Sequence, residues 1–125
     1  MYVLRDWLDN GLPDAVFDVA IAIESTEHMH DNKKAVAEAY RVLRPGGRLV
    51  VCAWIGSEMP AHWERRFLLE PICREGRLPG LGSEVDYRTL LKASGFVLDA
   101  APDLSREVRA TWSVCLQRDW AHDDC

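Results

Sequence analysis

The stretch Phe17-Asp18-Val19-Ala20-Ile21-Ala22-Ile23 decides the fold. It is almost entirely apolar, a pattern typical of a strand that is covered on both faces within a parallel sheet. Residues 32–43 follow with apolar side chains at helical spacing and charged side chains on the opposite face. Arg44-Pro45-Gly46-Gly47 ends that helix, because proline cannot continue it and glycine tolerates positive φ. Residues 48–54 resume as an apolar strand, so the whole stretch predicts one right-handed βαβ unit.

Weaker patterns on either side of this unit predict the remaining elements. Two further strands are expected, over residues 2–4 and 96–101. Three further helices are expected, over residues 61–75, 87–94 and 105–120. The first of them should be kinked or broken near Pro71, and the second should be capped by Ser83 or Asp86. The predicted fold class is therefore α/β.

Composition and charge exclude several classes of function. The 125 residues include 15 basic and 20 acidic side chains, a net charge of -5, and no basic run that would indicate a nucleic-acid-binding surface. We find no apolar run of the roughly 20 residues that a membrane-spanning helix needs, and no signal peptide pattern. We therefore expect a cytoplasmic protein that has no membrane span and binds no nucleic acid.

Metal binding is not expected either. The four cysteines are far apart and form no C-x-x-C pair, so reduced thiols are the simplest interpretation. His28 and His30 lie among carboxylates, but their alternation scatters the side chains and no distant set of ligands completes a metal shell.

Several strings, in this order and spacing, resemble the class I S-adenosylmethionine-dependent methyltransferases. The resemblance is carried by Phe17-Asp18-Val19, Glu24-Ser25-x-Glu27-His28-Met29, residues 41–49, Leu78-Pro79, Asp86-Tyr87 with Leu90-Leu91, Ala93-Ser94-Gly95-Phe96 and Val108-x-x-Thr111-Trp112. More narrowly, the chain is similar to the group that includes tocopherol C-methyltransferases, glycine-betaine-forming N-methyltransferases and natural-product methyltransferases.

The resemblance implies a partial Rossmann-like methyltransferase fold. The family has a seven-stranded sheet in the order 3-2-1-4-5-7-6, and the four predicted strands would be its third to sixth. The sequence has neither the glycine-rich turn after strand one nor the acid that closes strand two. We therefore expect the C-terminal part of the domain, truncated at both ends, with weak or no cofactor binding by itself and with strand edges open to self-association.

The same resemblance divides the chain into three parts. Residues 1–58 would be half of the cofactor-binding domain, residues 59–85 a segment that covers the acceptor, and residues 86–125 a late helix, a strand and the start of a helical lid.

Four residues are implied to bind S-adenosylmethionine. Asp6 would accept a hydrogen bond from the adenine amino group, the alternative being an aspartate in a surface turn. Trp7 would stack on the adenine or pack in the core. Glu24 and Ser25 lie at the carboxyl end of the central strand, the edge where open α/β sheets place their ligands.

The acceptor site is implied to lie next to these residues. His28 is the expected catalytic residue, taking a proton or holding a hydroxyl, and the alternative is a histidine that supports the loop. The remaining candidates for acceptor binding are Glu27, Met29, Trp54 and Trp63, and for the apolar side chains of this region core packing is the alternative.

The expected function is methyl transfer from S-adenosylmethionine to a small hydrophobic or aromatic acceptor, as part of a longer enzyme. A catalytic His28 favours O- or C-methylation, since a phenol or enol must lose a proton and a tertiary amine needs no base. The alternative is a non-catalytic α/β module that pairs with another chain. A dinucleotide-binding domain is disfavoured because the sequence contains no G-x-G-x-x-G.

Overall fold

The computed structural model describes residues 2–111, 113 and 114. Its principal elements are β1 (Phe17–Ile23), α1 (Asn32–Val42), β2 (Leu43–Cys52), α2 (His62–Glu64), α3 (Glu70–Glu75) and α4 (Glu84–Ala93). Two short 3₁₀ turns, Trp7–Asp9 and Thr26–His28, precede and follow β1, and a π-helical turn, Arg65–Leu69, joins α2 to α3. No helix of the described part is long and apolar enough to cross a membrane.

β1 and β2 pair in parallel, with α1 between them in sequence, so the predicted βαβ arrangement is confirmed. The register shifts near the start of the strands, because Phe17 pairs with Leu43 whereas Val19 pairs with Arg48. The extra residues of β2 form the predicted turn, where Gly46 has a φ of +80°. A side chain at Gly47 would lie 2.9 Å from the carbonyl oxygen of Arg44, so the close approach of the backbone requires glycine there.

α1 forms where its amphipathic pattern predicts it. The carboxylate of Asp31 caps the first turn by accepting a hydrogen bond from the Lys34 amide at 2.9 Å. The buried side chains of the helix recur at helical spacing and supply most of the core: Ala35, Val36, Ala39 and Val42. Leu8 and Leu43 complete that core.

Arg41 on α1 holds the loop that precedes β1. Its guanidinium donates hydrogen bonds to the carboxylate of Asp14 at 2.5 Å, the carbonyl oxygen of Leu12 at 2.6 Å and the carboxylate of Glu38 at 2.7 Å. A fourth bond reaches the side-chain oxygen of Asn10 at 3.1 Å. The hydrogen bond from Arg41 lowers the pKa of Glu38, and that of Arg41 is raised by the same partner.

Two of the four predicted strands are absent from the described part of the chain. Residues 2–4 and 96–101 belong to no strand, and the side chains of Tyr2, Leu4 and Val97 are almost completely exposed. A strand is held by hydrogen bonds to a neighbour, and the sheet of the described residues consists of β1 and β2 alone. The prediction of strands at these two places is therefore wrong for this structure.

The prediction that the central strand is covered on both faces is also wrong. Val19, Ile21 and Ile23 share one face of β1 and are 50, 65 and 64% exposed. α1 packs on the other face, and nothing in the described residues forms a second layer. A buried apolar run needs an element on each side, and only one side has it here.

The helical segment of residues 62–75 widens just before Pro71. The amide of Glu70 bonds to the carbonyl oxygen of Arg65, five residues back, so one turn is π-helical. Proline offers no amide hydrogen and its ring clashes with the carbonyl four residues earlier, which explains a wide turn at this place. The predicted disturbance is present, but the chain remains helical through it.

α4 begins at Glu84, three residues earlier than predicted, because Ser83 and Asp86 act together as a capping box. The Ser83 hydroxyl accepts a hydrogen bond from the Asp86 amide at 3.2 Å, and the Asp86 carboxylate accepts one from the Ser83 amide at 2.8 Å. The backbone hydrogen bond from Ser83 lowers the pKa of Asp86. Of the helix predicted over residues 105–120, residues 110, 111, 113 and 114 are helical, and Trp112, Cys115 and Leu116 lie outside the described residues.

Candidate functional site

The carboxyl end of β1 is marked by an unusual backbone conformation. Glu24 has a φ of +47°, a left-handed value that costs a non-glycine residue about 1–3 kcal/mol. Its amide still donates to the carbonyl oxygen of Cys52 at 2.8 Å, so the chain stays attached to the end of β2 while it reverses. The 3₁₀ turn Thr26–His28 follows immediately. Such an edge is where parallel α/β sheets bind their ligands.

A mainly apolar cleft of about 330 Å³ extends along β1 from Phe17 and reaches the turn that follows this strand. Its walls are α1, β1, the middle of β2 and the segment that contains the first 3₁₀ turn. Three of the residues predicted to bind cofactor or acceptor line it: Trp7, Ser25 and Met29. Thr26 and Leu12 also line it, and neither was among the predicted site residues, although Thr26 lies within the predicted stretch from Glu24 to Met29.

Asp6 and Trp7 are fixed by local hydrogen bonds. One oxygen of the Asp6 carboxylate caps the 3₁₀ turn by accepting a hydrogen bond from the Leu8 amide at 2.9 Å, and the residue is exposed. The Trp7 indole nitrogen donates to the carbonyl oxygen of Ala35 on α1 at 3.0 Å. This bond holds the indole as a fixed wall of the cleft.

His28 is exposed and lies between two residues of the cleft lining. Its backbone amide donates to the carbonyl oxygen of Ser25 at 3.2 Å, which closes the short turn. Thr26 and Met29, on either side of it, both line the cleft. The structure therefore places His28 in an exposed position between two lining residues, although His28 is not itself part of the lining.

Glu27 and Trp54 are brought together, but away from solvent. Glu27 is only 4% exposed, and its Oε1 atom accepts a hydrogen bond from the Trp54 amide at 2.5 Å. Thr26 is buried beside it, and its hydroxyl lies 2.8 Å from the hydroxyl of Tyr87 on α4. Burial raises the pKa of the Tyr87 phenol, the hydrogen bond to Thr26 opposes this shift, and the charge of Glu27 adds to it.

The remaining predicted residues lie apart from the cleft lining. Glu24 is exposed at the strand end, and Trp63 is 57% exposed on α2. Thr26 and Tyr87 were missed as site residues, although the Asp86-Tyr87 pair was among the strings that carry the resemblance. Thr26 and Tyr87 are 61 positions apart in sequence, so only the folded chain shows that their hydroxyls are in contact.

The donor set fits an adenosine-like ligand better than a metal ion. An indole wall, a hydroxyl and a thioether converge on the cleft at Trp7, Ser25 and Met29, and apolar walls with a few polar groups are typical of small-molecule sites. In residues 2–111, 113 and 114, no three side chains of histidine, cysteine, aspartate or glutamate form a group that could hold a metal.

Comparison with known proteins relates the chain to methyltransferases. Residues 1–51 match the family described as methyltransferase domain. Over 122 residues the chain is 33% identical to the chloroplastic tocopherol O-methyltransferase of Arabidopsis thaliana, an alignment that covers 93% of this chain and 35% of that enzyme.

Two solved structures have the same fold. A protein of Bacillus halodurans assigned to the methyltransferases superposes with a TM-score of 0.71 and 25% identity, covering 79% of this chain and 46% of that one. Phosphoethanolamine N-methyltransferase 2 of Haemonchus contortus, in complex with phosphomonomethylethanolamine and S-adenosylhomocysteine, superposes with a TM-score of 0.70 and 13% identity, covering 96% of this chain and 28% of that one. The chain spans between about a quarter and a half of the length of these proteins.

Proposed function

Because the chain carries part of a class I S-adenosylmethionine-dependent methyltransferase domain, we propose that it serves methyl transfer from S-adenosylmethionine to a small hydrophobic or aromatic acceptor. The observation that carries this proposal is the apolar cleft along β1, which reaches the turn after the carboxyl end of this strand, where the exposed His28 lies between two lining residues. The whole reaction would also need the glycine-rich turn, which the sequence lacks.

The chain's contribution to the cofactor site would be one wall. S-adenosylmethionine supplies a methyl group on a cationic sulfonium. Trp7 would hold the adenine by packing, since its indole is fixed to α1, and the exposed carboxylate of Asp6 would accept a hydrogen bond from the adenine amino group. Ser25 and Glu24 would lie toward the sulfonium at the strand ends.

The acceptor would lie on the His28 side of the cleft. An accessible imidazole there would accept the proton of a hydroxyl or an activated carbon, which favours O- or C-methylation. Met29, Trp54 and Trp63 would offer apolar surface to such an acceptor. The name of the Arabidopsis relative, a tocopherol O-methyltransferase, supports an acceptor of this chemical type.

The cofactor part of the proposal is tested by saturation-transfer NMR between the chain and S-adenosylhomocysteine. We expect transfer to the adenine protons, with weak affinity, and a clear loss of transfer in Trp7→Leu. Tyr2→Leu removes a fully exposed aromatic side chain and is the control. The absence of any transfer to the ligand, in a folded protein that joins this chain to a glycine-rich loop, would refute a cofactor wall.

The catalytic part is tested with labelled S-adenosylmethionine and a tocopherol-like phenol, in the protein that joins this chain to a glycine-rich loop. Removing a general base lowers kcat by about 10²–10⁴-fold, so His28→Ala should do so while His30→Ala retains activity. Equal rates for the two variants would leave His28 with a supporting role in its loop.

The alternative, a non-catalytic module that pairs with another chain, is favoured by the open edge of β1 and the exposed face of the sheet. The coding sequence upstream of Met1 separates the two hypotheses: an in-frame glycine-rich turn supports the enzyme.

Self-association through the strand edges is measured by light scattering across a concentration series. Cytoplasmic localisation also stays a prediction, tested by cell fractionation.

A further inference from the structure

Glu27 is the most deeply buried carboxylate at the strand ends, and its shortest hydrogen bond joins it to a residue outside the cleft lining. Its Oε1 atom accepts a hydrogen bond from the Trp54 amide at 2.5 Å, and its Oε2 atom lies 3.4 Å from the Thr26 hydroxyl. A buried carboxylate is costly unless it is hydrogen-bonded, so these contacts account for its presence there.

These contacts connect three segments that are distant in sequence. Trp54 lies two residues after Cys52, the last residue of β2. Glu27 brings the Trp54 amide to the turn after β1, and the Thr26 hydroxyl attaches the same turn to Tyr87 on α4. His28, the next residue, is thereby held by the ends of both strands and by a helix.

We propose that Glu27 is a positioning residue, which fixes the turn that carries His28 against the Trp54 segment and does not itself contact the acceptor. The proposal rests on the proposed function for the use of His28, but the positioning itself is a property of the chain without ligand. It replaces the contact with acceptor that the sequence suggested for Glu27. The role requires an oxygen that accepts the Trp54 amide, not merely a side chain of the right volume.

The test compares Glu27→Gln with Glu27→Met by amide hydrogen exchange and NMR on the full chain. Glutamine keeps an oxygen for the Trp54 amide, whereas methionine keeps the volume alone. We expect Glu27→Met to speed exchange at Trp54 by about 10-fold or more, the factor that one hydrogen bond to a charged group supports. Glu27→Gln should restore most of the protection and the resonance positions of His28.

Glu58→Gln is the matched control, since Glu58 is exposed, and should change neither signal. Wild-type behaviour of Glu27→Met would overturn the proposal, because volume alone would then suffice. If Glu27→Met does not fold, the wild-type chain decides: exchange at Trp54 must be at least about 10-fold slower than at Ile55, and equal rates would overturn the proposal. No ligand is used, so this test does not depend on S-adenosylhomocysteine binding, and a loss of the proposed function would leave its outcome unchanged.

Discussion

The two faces of the β1–β2 sheet have similar apolar residues and opposite surroundings. On one face, Ala20 and Leu49 lie under α1, whose own contacting side chains are buried. On the other face, Ile21 and its neighbour in register Val50 are exposed. We call these the covered face and the open face. On the covered face, the chain buries its own apolar side chains. On the open face, similar apolar side chains remain exposed, and their pattern suits contact with a further apolar surface.

This difference also bears on the proposed site. The turn that carries His28 leaves the end of β1, and it is held by hydrogen bonds to the end of β2 and to α4. Those contacts do not use the open face. A change on the open face should therefore leave the His28 turn in place, although Val19 and Ile21 also line the cleft, whereas a change under α1 should unfold the structure that supports the turn.

The largest effect is expected from one substitution made on both sides of the comparison. Val36 on α1 is 4% exposed and Val19 on the open face is 50% exposed. Val36→Asp buries an unpaired charge and should destabilise the chain by about 3–5 kcal/mol, enough to unfold a small domain. Val19→Asp leaves its charge in water and should cost less than about 1 kcal/mol. Urea unfolding followed by circular dichroism measures both, and equal losses would show that the two faces do not differ.

A second, smaller effect distinguishes two arginines that each pair with an aspartate near β1. Arg41 bonds to Asp14 and to three further partners beside α1, whereas Arg44 makes one exposed ion pair with Asp18. An isolated exposed pair contributes little to stability. Arg41→Met should therefore lower the melting temperature several times more than Arg44→Met. A larger fall for Arg44→Met would place the stabilising polar contacts away from α1.

A third effect appears only as a dependence on pH. The pKa of Glu38 is lowered by its hydrogen bond from Arg41, so the folded chain binds that proton less readily than the unfolded chain. Its contribution to stability is complete above the ordinary glutamate pKa of about 4.3, and it is lost as the pH falls through the lower pKa of the folded state. The stability difference between wild type and Glu38→Gln should shrink over that interval. When Arg41→Met is also present, this pH dependence of the stability difference should largely vanish. If it persists, a partner other than Arg41 lowers the pKa of Glu38.

The smallest effect on stability is expected from Ile21→Lys on the open face, a change of less than about 1 kcal/mol. An apolar patch binds hydrophobic dyes and other apolar surfaces. This variant should therefore reduce the fluorescence of bound anilinonaphthalene sulfonate and any self-association seen by light scattering. Leu104→Lys changes an exposed apolar residue away from the sheet and is the control. Equal effects of the two variants would deny the open face a special role in binding.

Much of the fold could be predicted because its signals are local. The apolar run of β1, the spacing of α1 and the Pro45-Gly46 turn each report the conformation of their own residues. The capping box at Ser83 and the wide turn before Pro71 were signalled by single residues in the same way. Each of these features depends on dihedral preferences and on hydrogen bonds within a few residues, which a sequence contains directly.

The candidate site could be predicted only in part. Sequence placed Ser25 and Met29 at the strand end and Trp7 before it, and all three line the cleft. Sequence could not show that the oxygens of Glu27 are directed to the Trp54 amide, or that Thr26 meets Tyr87. Those contacts join residues 27 and 61 positions apart, so they exist only when three segments have packed.

The sequence by itself determined the βαβ unit, the apolar character of its strands and the turn residues that join them. The tertiary structure alone decided which face of β1 is covered, and that residues 2–4 and 96–101 remain unpaired. It also decided that the carboxylate of Glu27 is buried and that His28 is exposed. The physical reason is that helices and turns close their hydrogen bonds within a few residues, whereas strand pairing and burial need partners that are distant along the chain.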